Sequence, residues 1–212
     1  MADYIAPEFV QFVNAERQAN RIPAFQEQLK EGDIWQPVNV DSEHATELLR
    51  IAARRAVGLV PPSQQTEVVW VHGDSQLAIS LIRLNLKLTD GLILVYIPAR
   101  SDQTRETMIE VGFAVGKADE PTGLYASTYR RPNGPAILVE TWGEMLVAFA
   151  WQCVLGMISG IAGAVGKDAR GNVLVPIEMT ASEQGLQIVP MARYRFSGSS
   201  GLEDTADKRG KP

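Results

Sequence analysis

The spacing of apolar residues changes twice along the chain. Over residues 1–60 it is helical. Pro7 stands where a helix begins, and Phe9, Phe12 and Val13 follow on one side. A short second helix is expected from Pro23 to Lys30, closed by Gly32. The third is the clearest. Asp41 or Ser42 caps it, and Ala45, Leu48, Leu49, Ala52 and Ala56 line one face. Arg50 and Arg54 fall opposite, with Gly58 as the stop. The prolines of "VPPSQQT" then break the chain.

From Thr66 the period shortens to that of a strand. "EVVWVH" is the first strand. "LAISLIRLNLKL" alternates, and its apolar parity shifts between Leu81 and Ile82, the mark of a bulge. Asp90-Gly91 gives a tight hairpin turn. "LILVYIP" is apolar on both sides and reads as a central, covered strand. "TMIEVGFAVG" alternates through Ile109, Val111, Phe113 and Val115. "TGLYASTYRR" reads as another strand, "RPNGP" as a turn and "AILVE" as a short strand after it. Near the end, "KDARGN" makes a polar turn, and "VLVPIEMT" and "LQIVPMARYRF" form a hairpin joined near Ser182 to Gly185. Leu186, Ile188, Ala192, Tyr194 and Phe196 share one face of its second strand. Pro176 and Pro190 interrupt the ladder and place edges or bulges there.

The second change comes at Met145–Val165, "MLVAFAWQCVLGMISGIAGAV", which carries no charge. Thr141 at N-cap with Glu144 three positions on is a capping box, so the helix is expected from Trp142 to Val165 with Gly166 as its stop. Roughly 24 residues at about 1.5 Å each give roughly 36 Å, enough to span a bilayer core of about 30 Å. Gly156 and Gly160 have small-xxx-small spacing and Gly163 extends that surface, so these are the expected packing or interface positions. Three readings stand: a core helix laid across a sheet, a helix between subunits, and a membrane span. Against the span are a thin polar stripe of Glu144, Gln152 and Ser159, and flanking strands that belong to one sheet. Each glycine also costs an isolated helix up to about 1 kcal/mol.

Helices, then strands, then one helix, then strands, with no βαβ alternation, predict an α+β fold. The sheet is mainly antiparallel, with N-terminal helices and one long apolar helix packed on it. One domain is expected over 1–196, made of a helical part (1–60), strands (66–140), the apolar helix (141–166) and a hairpin (172–196). A polar tail follows over 197–212, and a segment of that composition is disordered alone in water.

Apolar residues make up 45% and charged residues 21%, which supports a sizeable core. A net charge of −5 gives no basic footprint, so no nucleic-acid partner is expected. The single cysteine, Cys153, excludes an internal disulfide and a Cys-rich zinc site. The N-terminus carries Asp3 and Glu8 and no long apolar stretch, so no signal peptide is expected and a cytoplasmic location fits. No metal or cofactor is expected.

Candidate chemistry is sparse. His44 opens an exposed helix and reads as solvated. His72 ends a strand in "WVHGDSQ", where His72, Asp74 and Ser75 are the candidate catalytic residues; the plainer reading is a turn in which Asp74 bonds its own backbone. Cys153 reads as a buried thiol. "GIAGAVG" lies within or at the end of a helix, not before one, and so offers no phosphate loop. Arg193, Tyr194 and Arg195 are candidates for an anionic ligand, or form an ordinary solvated sheet face. The leading function class is a non-catalytic interaction or assembly protein whose partner is itself or another protein. It would use sheet edges, the glycine-faced helix and the tail. The alternatives are a membrane-associated or membrane-inserting protein acting through 145–165, and a small enzyme or ligand-binding module around the His72–Asp74 loop.

Overall fold

The computed structural model describes residues 5–22, 30, 32–59, 63–117 and 119–193. The expected helix at Pro23–Lys30, Lys30 itself excepted, and the tail at 197–212 lie outside them. The fold is α+β with mostly antiparallel sheets and one long, buried, apolar helix.

Helix α1 (Pro7–Gln18) begins on its proline and buries Phe9, Phe12 and Val13. Strand β1 (Val38–Val40) interrupts the helical N-terminal part. Three residues are too few to show a period, and Val38 and Val40 are held by pairing with a distant strand. Helix α2 (Ser42–Ala56) is capped by Asp41, whose carboxylate accepts the His44 N–H at 2.9 Å. It buries Ala45, Leu48, Leu49, Ala52 and Ala53, while Ala56 at its last position is exposed. Arg50 and Arg54 leave the opposite side to donate to the carbonyls of Leu84 and Ser63.

His44 is not simply solvated: its Nδ1 lies 2.7 Å from Asp41 Oδ2 and its ring rests near Phe12. The Asp41 hydrogen bond raises the imidazole above its ordinary pKa despite partial burial. That contribution is fully present below the unfolded value of about 6.5 and is lost as pH rises through the raised folded value. Both side chains are about half exposed (46% and 56%), so screening keeps the pair small, within about 1 kcal/mol. Asp41→Ala is expected to cost about 1 kcal/mol in urea unfolding through the lost cap. The advantage of wild type over His44→Gln is expected to shrink as pH is raised from mildly acidic to mildly alkaline; an advantage that grew with pH would contradict this sign.

Six strands form the larger sheet, five of them of regular length: β2 (Glu67–His72), β3 (Ser75–Ser80), β4 (Asn85–Thr89), β5 (Leu92–Ser101) and β6 (Thr107–Ala114). Its order is β2-β3-β5-β6, with β4 also on β5 and the two-residue β7 (Ser127–Thr128) beyond β6. The expected bulge at Leu81/Ile82 is a larger break. The chain turns over residues 81–84, so β3 and β4 are separate strands that share one edge of β5. Leu81 and Leu84 are both fully buried in that turn, which explains the parity shift. "TGLYASTYRR" yields only β7, because the chain there crosses the end of the sheet and pairs at just two positions.

Register puts Ile79, Ile93, Val95, Ile97, Ile109, Val111 and Phe113 on one inner face, all buried. The outer face carries Val69, Leu94, Tyr96, Met108 and three ion pairs: Arg83–Glu106, Arg100–Glu67 and Arg130–Glu110. Strand β5 is therefore sealed on its inner side and only half covered on the other.

Helix α3 runs from Ala136 to Val165, six residues earlier than expected. "AILVE" is its opening, not a strand. Pro135 supplies the start and its carbonyl receives the N–H groups of Leu138 and Val139. Leu138, Trp142, Leu146, Phe149 and Cys153 form one buried helical stripe that overrides the β-propensity of the first residues. Thr141 and Glu144 are exposed positions inside this helix and cap nothing. After the stop at Gly166, the Asp168 carboxylate organises the polar turn by accepting from the Arg170 and Asn172 amides.

Strands β8 (Val175–Ser182) and β9 (Gly185–Met191) make the expected hairpin, and β1 joins its far side to give the order β1-β9-β8. Pro176 and Pro190 face each other, with a register shift between Pro176 and Glu178. Neither can donate, so setting them opposite wastes no partner. The two sheets meet at β8: Ala181 accepts from the Gly91 amide and donates to the Gly116 carbonyl, both at 3.0 Å. Helix α3 packs on both sheets and on α1 and α2.

Candidate functional site

A cleft of about 920 Å³ opens beside the N-terminal half of α3. Its apolar walls include Phe113 from β6 and Val147 and Trp151 from α3, with the two aromatic rings 5.2 Å apart. Polar groups at its margin are His72, Thr128, Arg131, Glu140, Thr141 and Glu144. Glu140 and Glu144 lie one helical turn apart and both are exposed. No local pattern signals this arrangement, because β6, β7 and α3 are brought together only by the tertiary fold.

His72 closes the β2–β3 hairpin opposite Ser75. Gly73 takes the first turn position at φ +57°, a conformation that L side chains disfavour and that suits a type II′ turn. His72 is exposed, and its ring approaches Trp142 edge-on at 6.0 Å. Among the described residues it makes no hydrogen bond or ion pair. Asp74 sits on the exposed tip and Ser75 is half-buried, and neither lines the cleft. The hairpin thus brings His72 alone of the three to the cleft.

A second cleft, about 630 Å³, lies where α1, α2 and α3 meet β8. Arg55 and Arg193 stand at it; Tyr194 and Arg195 lie outside the described residues. The glycine face of α3 forms its floor. A Cβ on Gly156 would meet Ala52 at 3.4 Å, one on Gly160 would meet the Phe9 ring at 2.8 Å, and one on Gly163 would meet Ile5 at 2.5 Å. What presses on these glycines is side chains of the same chain's N-terminal segment and α2.

Cys153 is fully buried, and burial pushes its thiol up to about 12. It therefore stays protonated and out of reach at neutral pH. An aromatic disulfide reagent is expected to leave it unmodified in the folded protein and to titrate it fully in denaturant; rapid native labelling would contradict this. Among the described residues no group of three or more His, Cys, Asp or Glu side chains is placed to hold a metal ion. Comparison of the chain with family models, with curated proteins and with solved structures finds no match.

Proposed function

We propose that this is a non-catalytic interaction protein that assembles with itself. One observation carries the reading. Large apolar side chains stand exposed where the chain's own packing stops, with Val69 at 50%, Val71 at 65% and Met108 at 48% on the larger sheet. Contiguous exposed apolar surface on a folded domain marks an interaction site. Helix α3 serves this reading as a core element. Among the described helices it alone is long and apolar enough to cross a membrane, yet half of its most apolar stretch is buried against the chain's own elements. Light scattering coupled to size exclusion over a wide concentration range tests the proposal: a defined oligomer supports it, and a monomer at every concentration ends it.

A second reading is a ligand-binding module, favoured by the position of His72 at a roomy cleft with aromatic walls. Its test is chemical-shift mapping with a library of small amphipathic molecules. Shifts confined to Trp151, Phe113 and His72 would favour it, and no shifts at these residues would remove it.

A further inference from the structure

Resting on the self-assembly reading, we infer that β2 is the strand through which two copies join. The joint is an antiparallel pairing about a two-fold axis at Trp70, making one sheet continuous across both.

The backbone geometry comes first. Strand β2 ends the order β2-β3-β5-β6, and among the described residues nothing pairs with its outer edge. The Leu81 amide donates to the Thr66 carbonyl at 2.8 Å, and the register runs unbroken from Glu67↔Ser80 to His72↔Ser75. In an antiparallel ladder, alternate residues bond to opposite neighbours. Thr66, Val68, Trp70 and His72 therefore face β3, while Glu67, Val69 and Val71 turn their N–H and C=O groups outward. The Gln65 side chain takes the Glu67 carbonyl at 2.7 Å, as this parity requires. The open edge is thus Val69 and Val71, each with one donor and one acceptor.

The middle of the edge is unprotected, the one charge on its outward-bonding residues being Glu67 at the start of the strand. No proline, lysine or bulge interrupts "VVWV", the devices by which native edges avoid pairing. The unpaired groups lie in the middle of the strand, not at a frayed end.

The occupant is argued from self-complementarity. With the axis at Trp70, Val69 faces Val71 of the second copy and Val71 faces its Val69. Both are outward-bonding residues, so every free donor meets a free acceptor. On the outer face these are valine pairs, extending the apolar surface around Ala78 and Met108. On the inner face Trp70 meets Trp70, and Val68 meets His72. Glu67 falls opposite Gly73, so no carboxylate is set against another, the pairing that would cost most. Shifting the axis by one residue would set Glu67 against Val71 or leave Val69 facing Gly73. The inner side has room for the tryptophan pair: a groove of about 470 Å³ lined by Val68, Trp70, Val57, Met145 and Ala148 runs along this edge.

Sedimentation velocity on the full chain provides the test, with far-UV circular dichroism as the folding control. Val71→Pro removes an N–H that points away from β3 and so leaves the β2–β3 ladder whole. It is expected to weaken dimerisation about tenfold or more, since two of the pairing bonds vanish across the axis. Val71→Lys is expected to act likewise, and Val71→Thr to remain dimeric. Trp70→Cys is expected to form a disulfide between copies on mild oxidation, because opposed residues in such a pair stand about 4.5–5.5 Å apart at Cβ. This readout serves even if the position-71 variants misfold. If wild type is a dimer and folded Val71→Pro or Val71→Lys stays as tight, or Trp70→Cys gives no cross-link, the β2 pairing is overturned while self-assembly stands. A wild-type monomer at every concentration overturns both.

Discussion

Trp142→Ala is expected to lower folding stability by about 3–5 kcal/mol, the range for deleting a large aromatic from a closed core. Trp142 is 2% exposed and belongs to the stripe that seats α3 on the larger sheet. Around it stand Leu138 and Leu146 a turn away on the same helix, and the edge of His72 from β2. None of these can slide into the vacated space without unseating the strand or helix that carries it, so most of the cavity should persist. In urea the midpoint is expected to fall with the slope unchanged, and the melting temperature by roughly 10 °C or more for a chain of this size. Trp151→Ala provides the comparison. Trp151 is half-buried and faces the open cleft, so solvent fills the gap and the loss should be clearly smaller. Equal losses at the two tryptophans would show that the cleft is closed in solution.

Two glycines one turn apart on α3 are expected to respond with opposite signs. Gly160→Val should destabilise by about 3 kcal/mol, at the upper end of overpacking costs. Its Cβ would lie 2.8 Å from ring atoms of Phe9, which is 1% exposed. Helix α1 must then lift from α3. Gly156→Ala instead meets only the Ala52 methyl at 3.4 Å, an ordinary contact on the exposed side of the helix. There the better helix propensity of alanine should prevail and add up to about 1 kcal/mol. Pairing Gly160→Val with Phe9→Ala in a double-mutant cycle should recover about 1 kcal/mol or more as coupling energy. Strict additivity of the two changes would mean that α1 does not rest on this glycine.

Much of the fold was legible where one element carries its own complete signal. Helix α2 shows both a cap at Asp41 and a stripe from Ala45 to Ala52, and the structure keeps both. The Asp90-Gly91 turn fixes the β4–β5 register, and β6 alternates as its sequence does. The start of α3 was misplaced because two correct local signals compete. Thr141 and Glu144 have capping chemistry but lie past a stronger beginning at Pro135. Ile137 and Val139 have strand propensity, yet Leu138 already belongs to the stripe continued by Trp142. Strand β1 was missed for a different reason: its three residues are specified by Leu186, Gln187 and Ile188, which no local window contains. The cleft was invisible on the same grounds. Of its lining residues His72 is a candidate for chemistry in the sequence, and what makes it notable, the nearness of Trp142 and the cleft walls, comes from elements far away in the chain.

The pairing of β1 with β9 also sets an order of events during synthesis. Val38 and Val40 leave the ribosome early, but their mates, Ile188 and Leu186, are among the last described residues to appear. Until then β8 has no hairpin partner, the second sheet does not exist, and the C-terminal half of α3 has one of its two supporting layers missing. Contacts that span so much chain make for slow closure. At about 5–20 residues per second the chain takes roughly 1–5 s to grow from Val165 to Ile188, with "VLGMISGIAGAV" already made and this layer still missing. Part of the most apolar stretch of this protein therefore waits uncovered until the C-terminal hairpin forms. That interval is when a chaperone would have most to hold.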